Sequence, residues 1–282
     1  MINPVLKKEL KQKMRTWKTP FLISFYCLVL MGFLGIMFLS IMEGIRYNSG
    51  INPQIIMTMF IGMVIFQFGV IMFIIPATTA GSITSEKQRR TFDLLLCTKM
   101  RPISIILGKL SASLITVIML IFISMPFFSV ISMFGSISIW NLLILFAYLV
   151  FVAIFIGTLG ILNSTIFKKT LTSLIVTYLQ VIAIVFGTFI LAGVGKIIES
   201  VYDTDIFYIW FSKLLYINPF IGLNALQMKF MGQNTDVNKM LLDYASKNPL
   251  YPFWINIGIL VALIALMMFF AVRKIDPIRS KK

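Results

Sequence analysis

Six long apolar stretches, separated by polar or charged segments, dominate the sequence. Each has about 20 or more residues and few charges, which is the length that an α-helix needs to cross the hydrocarbon core of a bilayer. They cover Phe21–Met42, Gln54–Ala80, Ile103–Met133, Ile139–Phe167, Leu171–Val194 and Phe253–Val272. Because the bilayer offers the backbone no hydrogen-bond partners, each stretch should satisfy its own N–H and C=O groups as a helix. The pattern predicts an all-α integral membrane protein with six transmembrane helices.

The composition agrees with a membrane protein and limits the possible chemistry. Hydrophobic residues make up 59% of the 282 residues, charged residues 12%, and the mean hydropathy is +0.95. A soluble domain has about a quarter of its residues charged. We therefore expect one membrane domain over residues 1–282. Histidine is absent from the sequence, which removes the commonest metal ligand and the commonest general base. We expect no catalytic, metal-binding or cofactor-binding residues.

The basic residues lie mainly on alternate connections between the stretches. The N-terminus, the second and fourth connections and the C-terminus, with Lys109, hold 19 of the 25 basic residues but four of the ten acids. This set carries the whole net charge of +15, and the remaining segments are neutral. Because cytoplasmic segments are enriched in Lys and Arg, both termini should be cytoplasmic. Anionic membrane lipids account for the basic charge, and no nucleic-acid partner is needed.

The N-terminal segment, residues 1–19, has the pattern of an amphipathic helix. In Asn3–Lys18, apolar residues recur at three- and four-residue steps with basic residues between them. Such a helix lies in the membrane interface with its lysines toward anionic headgroups. Its main interfacial residues are Lys7, Lys8, Lys11 and Trp17. The alternative is a plain basic anchor that only sets the topology.

The second connection, residues 81–102, is predicted to contain a short cytoplasmic helix. Ser85 followed by Gln88 resembles a capping box, and Glu86 would lie in the first turn, where the helix dipole favours an acid. The helix would run from Glu86 to Cys97, charged at its start and apolar at its end. The charged end could face a cytoplasmic partner. The alternative is a solvated connector whose basic residues only set the topology.

The outer segment before the last stretch, residues 195–252, is too long for a structureless loop in a compact protein. Ile206–Tyr216 is apolar and aromatic but too short to span, and Ile217–Phe230 continues through Asn218-Pro219. These pieces predict re-entrant or interfacial helices. The alternative is an aromatic belt resting on the outer leaflet.

Four segments together resemble the ABC-2 type permease subunits of ATP-binding-cassette transporters. The second connection carries the family's acidic and basic run, followed by a Gly-Thr-Leu-Glu-like step and a leucine triplet. The resemblance lies in Asn3–Leu10, Glu86–Thr98, Leu107–Lys109 and Ile217–Phe220. The sequence also departs from the family. Arg90 stands where the family often has glycine, Phe92 replaces leucine, and Lys99-Met100 replaces a common proline turn.

The resemblance implies a permease without enzymatic activity of its own. Such a subunit forms the translocation path, and ATP and Mg²⁺ bind to a separate cytosolic ATPase. The second connection would be the coupling helix, and the N-terminal helix would brace the same interface. The coupling residues would be Glu86, Arg89, Arg90 and Asp93. A second permease copy or a related permease would complete the path. Export across the cytoplasmic membrane of a bacterium is the expected role.

The absence of a P-loop agrees with this division of labour. The sequence contains no G-x-x-x-x-G-K-[ST] motif, and Gly193–Lys196 lacks its spacing. The chain should therefore need a partner to use ATP.

Two other classes of protein remain as alternatives. An ion-coupled carrier would bury ionisable groups in its spans. Here Lys109 lies near a cytoplasmic end and could snorkel, and Gln67, Asn163 and Gln180 fit interhelical hydrogen bonds better than ligand contacts.

A membrane enzyme is the second alternative, and it would rely on acids in the outer segment. They are Glu199, Asp203, Asp205, Asp236 and Asp243. The first three could bind a divalent cation, although a solvated loop explains them more simply.

Overall fold

The computed structural model describes residues 18–46, 53–91, 102–135, 137–202, 210, 213–231 and 251–275. Within these ranges every regular element is helical and no strand occurs. The longer helices are α1 Lys18–Arg46, α2 Pro53–Thr79, α4 Pro102–Gly135, α5 Ile139–Ile166, α6 Thr170–Ile182, α7 Thr188–Tyr202 and α9 Tyr251–Ile275. The short helices are α3 Thr84–Gln88 and α8 Pro219–Met231, with a 3₁₀ turn at Leu215–Ile217. The prediction of an all-α protein is confirmed.

Six helices in these ranges are long and apolar enough to cross a membrane. They cover Pro20–Arg46, Ile56–Gln88, Pro102–Met133, Ile139–Ile166, Thr170–Glu199 and Tyr251–Ile275. By length and composition, these agree with the six predicted spans. The fifth is α6 and α7 joined through a π-helical turn at Ala183–Gly187, and α7 runs past the predicted end at Val194 to Tyr202. The cytoplasmic placement of both termini stays a prediction, and the predicted interfacial helix lies outside the described residues apart from its last two.

The chain forms two compact units. Unit 1 comprises Met1–Ile75 and Ile103–Ala153, and unit 2 comprises Pro76–Pro102 and Ile154–Lys282. In unit 1, the core contains Phe60, Phe128 and Phe146, whose rings meet edge to face with centroids 5.8 and 5.3 Å apart. Such ring pairs add stability beyond the apolar area that they bury. The prediction of a single membrane domain stays a prediction.

In unit 2, Asn218 connects the segment before the last span to the fifth span. Its side-chain amide donates to the carbonyl of Val185, in the π-helical turn, and to the hydroxyl of Thr188, both at 2.9 Å. Its side-chain oxygen accepts the N–H of Phe220 at 2.9 Å and so caps the start of α8. Asn256 of α9 donates to the carbonyls of Tyr216 and Asn218. Short helices are thus present between the fifth and sixth spans, and their depth in the membrane stays a prediction.

Side-chain amides of the spans connect helices, as expected. In unit 1, Gln67 of α2 accepts a hydrogen bond from the hydroxyl of Tyr26 on α1. In unit 2, the Asn163 amide of α5 donates to Thr177 at 2.9 Å and to Gln180 at 2.7 Å, both on α6. The prediction of interhelical hydrogen bonds for Gln67, Asn163 and Gln180 is confirmed.

The expectation that Lys109 snorkels to the interface is wrong. The helix α4 begins at Pro102, so Lys109 lies about two turns inside it. Its side chain is only 1% exposed and is among the largest fully buried side chains of the described residues. Its stem therefore does not extend to the surface of this chain.

A close approach between α2 and α5 in unit 2 depends on Gly160. A Cβ atom placed on Gly160 would lie 2.0 Å from the Thr79 hydroxyl, 2.9 Å from the Thr79 Cβ and 3.3 Å from the backbone nitrogen of Ala80. The last two atoms cannot turn away as the end of a flexible side chain can. Only glycine fits, as at other close helix crossings in membrane proteins.

We predict that Gly160→Ala destabilises unit 2 by about 1–3 kcal/mol through overpacking. The measurement is the thermal unfolding midpoint of the purified protein in detergent. Gly193→Ala is the matched control, because a Cβ on Gly193 meets nothing within 4 Å. Equal midpoints for the two variants would contradict the prediction.

Candidate functional site

The helix α3 receives the cap for its N-terminus from a different helix. The hydroxyl oxygen of Ser164, near the end of α5, accepts the backbone N–H groups of Ile83 at 2.8 Å and Thr84 at 3.0 Å. These donors have no partner inside a helix. The predicted capping box is wrong, because the N-cap residue is Ile83 and Ser85 lies within the helix. The local sequence suggested a cap at Ser85, but the acceptor comes from about 80 residues further along the chain.

Lys87 of α3 in turn satisfies carbonyl groups at the end of α5. Its ammonium group donates to the carbonyl of Ser164 at 3.4 Å and to that of Thr165. The last carbonyls of a helix lack partners inside it and carry the negative end of the helix dipole, so a lysine is favoured there. A third link joins the Thr170 hydroxyl of α6 to the side-chain oxygen of Gln88 at 2.7 Å. We call these bonds from Ser164, Lys87 and Thr170 the clamp.

The side chains of α3 pass from buried to exposed along the helix. Ile83 and Thr84 are buried, and Glu86 and Lys87 are partly buried. Gln88, Arg89 and Arg90 are exposed. The start of α3 is therefore part of the interior of unit 2, and its end presents charged groups to the surroundings.

A strained residue follows the end of α3. Arg90 has φ 57°, in the left-handed region. The N–H of Thr91 bonds the carbonyl of Glu86 at 3.0 Å, and the N–H of Arg90 bonds that of Lys87 at 3.2 Å. This is the Schellman arrangement, in which glycine is usual at the left-handed residue. The family that this sequence resembles often has glycine at this position, and the backbone gives the physical reason.

The predicted helix Glu86–Cys97 is therefore wrong in its length. The helix α3 ends at Gln88, because the left-handed conformation of Arg90 turns the chain out of the helical path. The apolar residues from Phe92 onward lie outside the described residues.

Three of the predicted coupling residues lie together at α3. Glu86 is on the helix, and Arg89 and Arg90 form its C-terminal cap. Asp93 and the predicted interfacial residues Lys7, Lys8, Lys11 and Trp17 lie outside the described residues. Sequence reasoning missed Ser164 and Thr170 and gave Lys87 only a topological role. The available signal was that Ser164 and Thr170 lie on either side of the paired lysines Lys168 and Lys169. This arrangement does not show which groups the two hydroxyls bind.

Chemically, the exposed end of α3 offers charged groups that are suited to polar contacts. Exposed guanidinium groups bind carboxylates and other anions through several hydrogen bonds at once. The clamp holds the backbone that carries them against the ends of α5 and α6. A displacement of α3 would therefore be transmitted to the fourth and fifth spans.

We predict that Ser164→Ala destabilises α3 by about 1–3 kcal/mol, because it leaves two buried N–H groups without their acceptor. The measurement is hydrogen exchange of the α3 amides. Ser173→Ala is the matched control, since Ser173 is fully buried on α6 and its hydroxyl has no hydrogen-bond partner within the described residues. Unchanged exchange in Ser164→Ala would refute the role of the clamp.

We predict that Arg90→Gly stabilises the end of α3 by about 0.5–1 kcal/mol, because glycine adopts positive φ without the cost that a Cβ imposes. Arg89→Gly removes the same charge, but Arg89 has φ −81°, so this variant should destabilise the end by a similar amount. The measurement is the hydrogen-exchange rate of the backbone amides at positions 90 and 91 in both variants. Slower exchange is expected in Arg90→Gly and faster exchange in Arg89→Gly. Equal effects of the two substitutions would rule out strain at Arg90.

Comparison with known proteins supports the resemblance seen in the sequence. A family model described as ABC-2 family transporter protein matches residues 3–274. A search of curated proteins gave no match. The family match covers nearly the whole chain, which carries six helices able to span a membrane. The chain therefore belongs to the ABC-2 family of transporter proteins.

Proposed function

We propose that this chain is the permease of an ATP-binding-cassette exporter and that α3 is its coupling helix. Family membership supports a transmembrane subunit of such a transporter. Export and coupling to a separate ATPase are the finer parts of the proposal. Export rests on the resemblance alone. The observation that carries the coupling is the clamp, which fastens a five-residue helix with a charged, exposed end to the ends of two spans.

The proposed mechanism begins at the exposed end of α3. Arg89 and Arg90, with the partly buried Glu86, would contact a complementary charged surface of a cytosolic ATPase. When the ATPases close on ATP, the displacement of α3 would pass through Ser164 and Lys87 to α5 and through Thr170 to α6. The bonds of the charged Lys87 contribute about 1.5–3 kcal/mol each, and the neutral bonds of Ser164 and Thr170 about 0.5–1.5 kcal/mol each. The clamp should therefore move together with α3.

The remaining parts of the transporter would come from other subunits. ATP and Mg²⁺ would bind to the ATPase, since this sequence lacks a P-loop motif. A second copy of this chain, or a related permease, would complete the translocation path. The assembly would lie in the cytoplasmic membrane of a bacterium.

One observation favours the alternative of an ion-coupled carrier. Lys109 is buried in the third span, and ionisable groups in spans often mark ion pathways. The two functions differ in their energy source. Transport that continues without ATP and stops when an ion gradient is collapsed would favour the carrier.

We predict that the double variant Glu86→Ala and Arg89→Ala loses its ATPase partner. Both residues lie at or beside the exposed end of α3, where loss of charged contacts at an interface costs affinity. The measurement is co-purification of the ATPase with the permease, followed by ATP-dependent transport in vesicles. At least a tenfold loss of both is expected.

The matched control is Lys196→Ala with Glu199→Ala. This pair removes the same charges from α7, in the segment that the charge pattern assigns to the outer side. The control should keep the ATPase and its transport. Stable association and unchanged transport in the Glu86 and Arg89 variant would overturn the coupling role.

A further inference from the structure

The π-helical turn Ala183–Gly187 interrupts the fifth span near its middle. The residues on either side have ordinary α-helical angles, with φ −62° and ψ −44° at Ile182 and φ −65° and ψ −36° at Thr188. The turn contains no proline, so its sequence also permits a regular α-helix. Because a π-helical turn holds one more residue than the α-helical turn that it replaces, conversion to α-helix would rotate α7 relative to α6 by about 100°.

The two halves of the fifth span are attached to different elements of unit 2. The first half, α6, is bonded to α5 through the amide of Asn163 and to α3 through the hydroxyl of Thr170. The second half, α7, contributes Ala192 to a buried cluster with Leu215 of the 3₁₀ turn and Ile221 of α8. A rotation at the π-helical turn would therefore change the packing of α7 against the 3₁₀ turn and α8 and leave the attachments of α6 as they are.

Asn218 holds the π-helical turn from outside the fifth span. Its amide donates to the carbonyl of Val185 and to the hydroxyl of Thr188, both at 2.9 Å. The Thr188 hydroxyl in turn donates to the carbonyl of Ile184 at 2.7 Å. Asn218 is fully buried. We call these three hydrogen bonds the latch.

The position of the latch makes its loss costly. The turn lies near the middle of the span Thr170–Glu199, where the bilayer core offers no water to replace a lost hydrogen bond. In a regular α-helix, each carbonyl accepts the N–H four residues further along the same helix. The α-helical form therefore needs no side chain from another element, and it gains over the π-helical form when the latch is removed.

We propose that the latch holds the fifth span in its π-helical register and that the span has a second, α-helical register. In the second register, Leu191 takes the place of Ala192 beside Leu215. Ala192 is 2% exposed and Leu191 is 41% exposed, so a larger side chain enters a closely packed cluster. The 3₁₀ turn and α8 must shift to accommodate it. The latch thus couples the register of the fifth span to the position of α8. The proposal does not rest on the ATPase or on the direction of transport.

The test compares two cysteine pairs in the purified full-length chain in nanodiscs. The native cysteines are first removed by Cys27→Ala and Cys97→Ala. One pair is Ala192→Cys with Leu215→Cys, which reports the π-helical register, and the other is Leu191→Cys with Leu215→Cys, which reports the α-helical register. The measurement is the rate at which a short bifunctional thiol reagent links each pair, quantified by mass spectrometry of the linked peptides.

With the latch intact, the pair at 192 and 215 should link faster than the pair at 191 and 215. In Asn218→Leu, which keeps the size of the side chain and loses its hydrogen bonds, the ratio of the two rates should fall about tenfold or more. The matched control is Asn256→Leu, because the amide of Asn256 bonds the carbonyls of Tyr216 and Asn218 in the same segment. The control should keep the original ratio. An unchanged ratio in Asn218→Leu, or an equal fall in Asn256→Leu, would overturn the proposal.

A milder variant and a deletion keep the test decisive if Asn218→Leu does not fold. Thr188→Val preserves the shape of the side chain and removes the hydroxyl that joins Asn218 to the carbonyl of Ile184. It should lower the ratio in the same direction, by about threefold, and an unchanged ratio would contradict the latch. Deletion of Ala183 removes the additional residue of the turn, so α7 keeps its place in an α-helical span. In that background Thr188→Val should leave the ratio unchanged, and a fall there would rule out the change of register.

Discussion

The short helix α3 depends on an exchange of hydrogen bonds between two helix ends. Ser164 of α5 accepts the N–H groups that start α3, and Lys87 of α3 donates to the carbonyls that end α5. A five-residue helix has too few internal bonds to be stable alone. The end of α5 supplies an acceptor for the first N–H groups of α3, and α3 supplies a donor for the last carbonyls of α5. The charged residues Arg89 and Arg90 are therefore held in place at the end of α3.

Side chains also satisfy unpaired backbone groups in the segment before the last span. A π-helical turn frees a backbone carbonyl, and here that of Val185 accepts from Asn218. Asn218 also caps α8, and Asn256 of α9 binds the carbonyls of the turn that precedes α8. Irregular backbone among apolar helices is tolerated when protein groups satisfy it. In both places, polar side chains satisfy the backbone where the helical path is interrupted next to a long span.

The sequence identified the long helices better than it identified what joins them. The length of an apolar stretch can be read from consecutive residues, so six spans could be predicted, although the second and the fifth extend beyond their predicted ends, to Gln88 and Glu199. Glu86, Arg89 and Arg90 could be assigned to one short segment for the same reason, although the helix itself ends at Gln88. Ser164 could not, since its partners Ile83 and Thr84 lie about 80 residues away. The local capping rule chose Ser85 because it considers only near neighbours. The burial of Lys109 was likewise a property of packing, which no pattern along one helix contains.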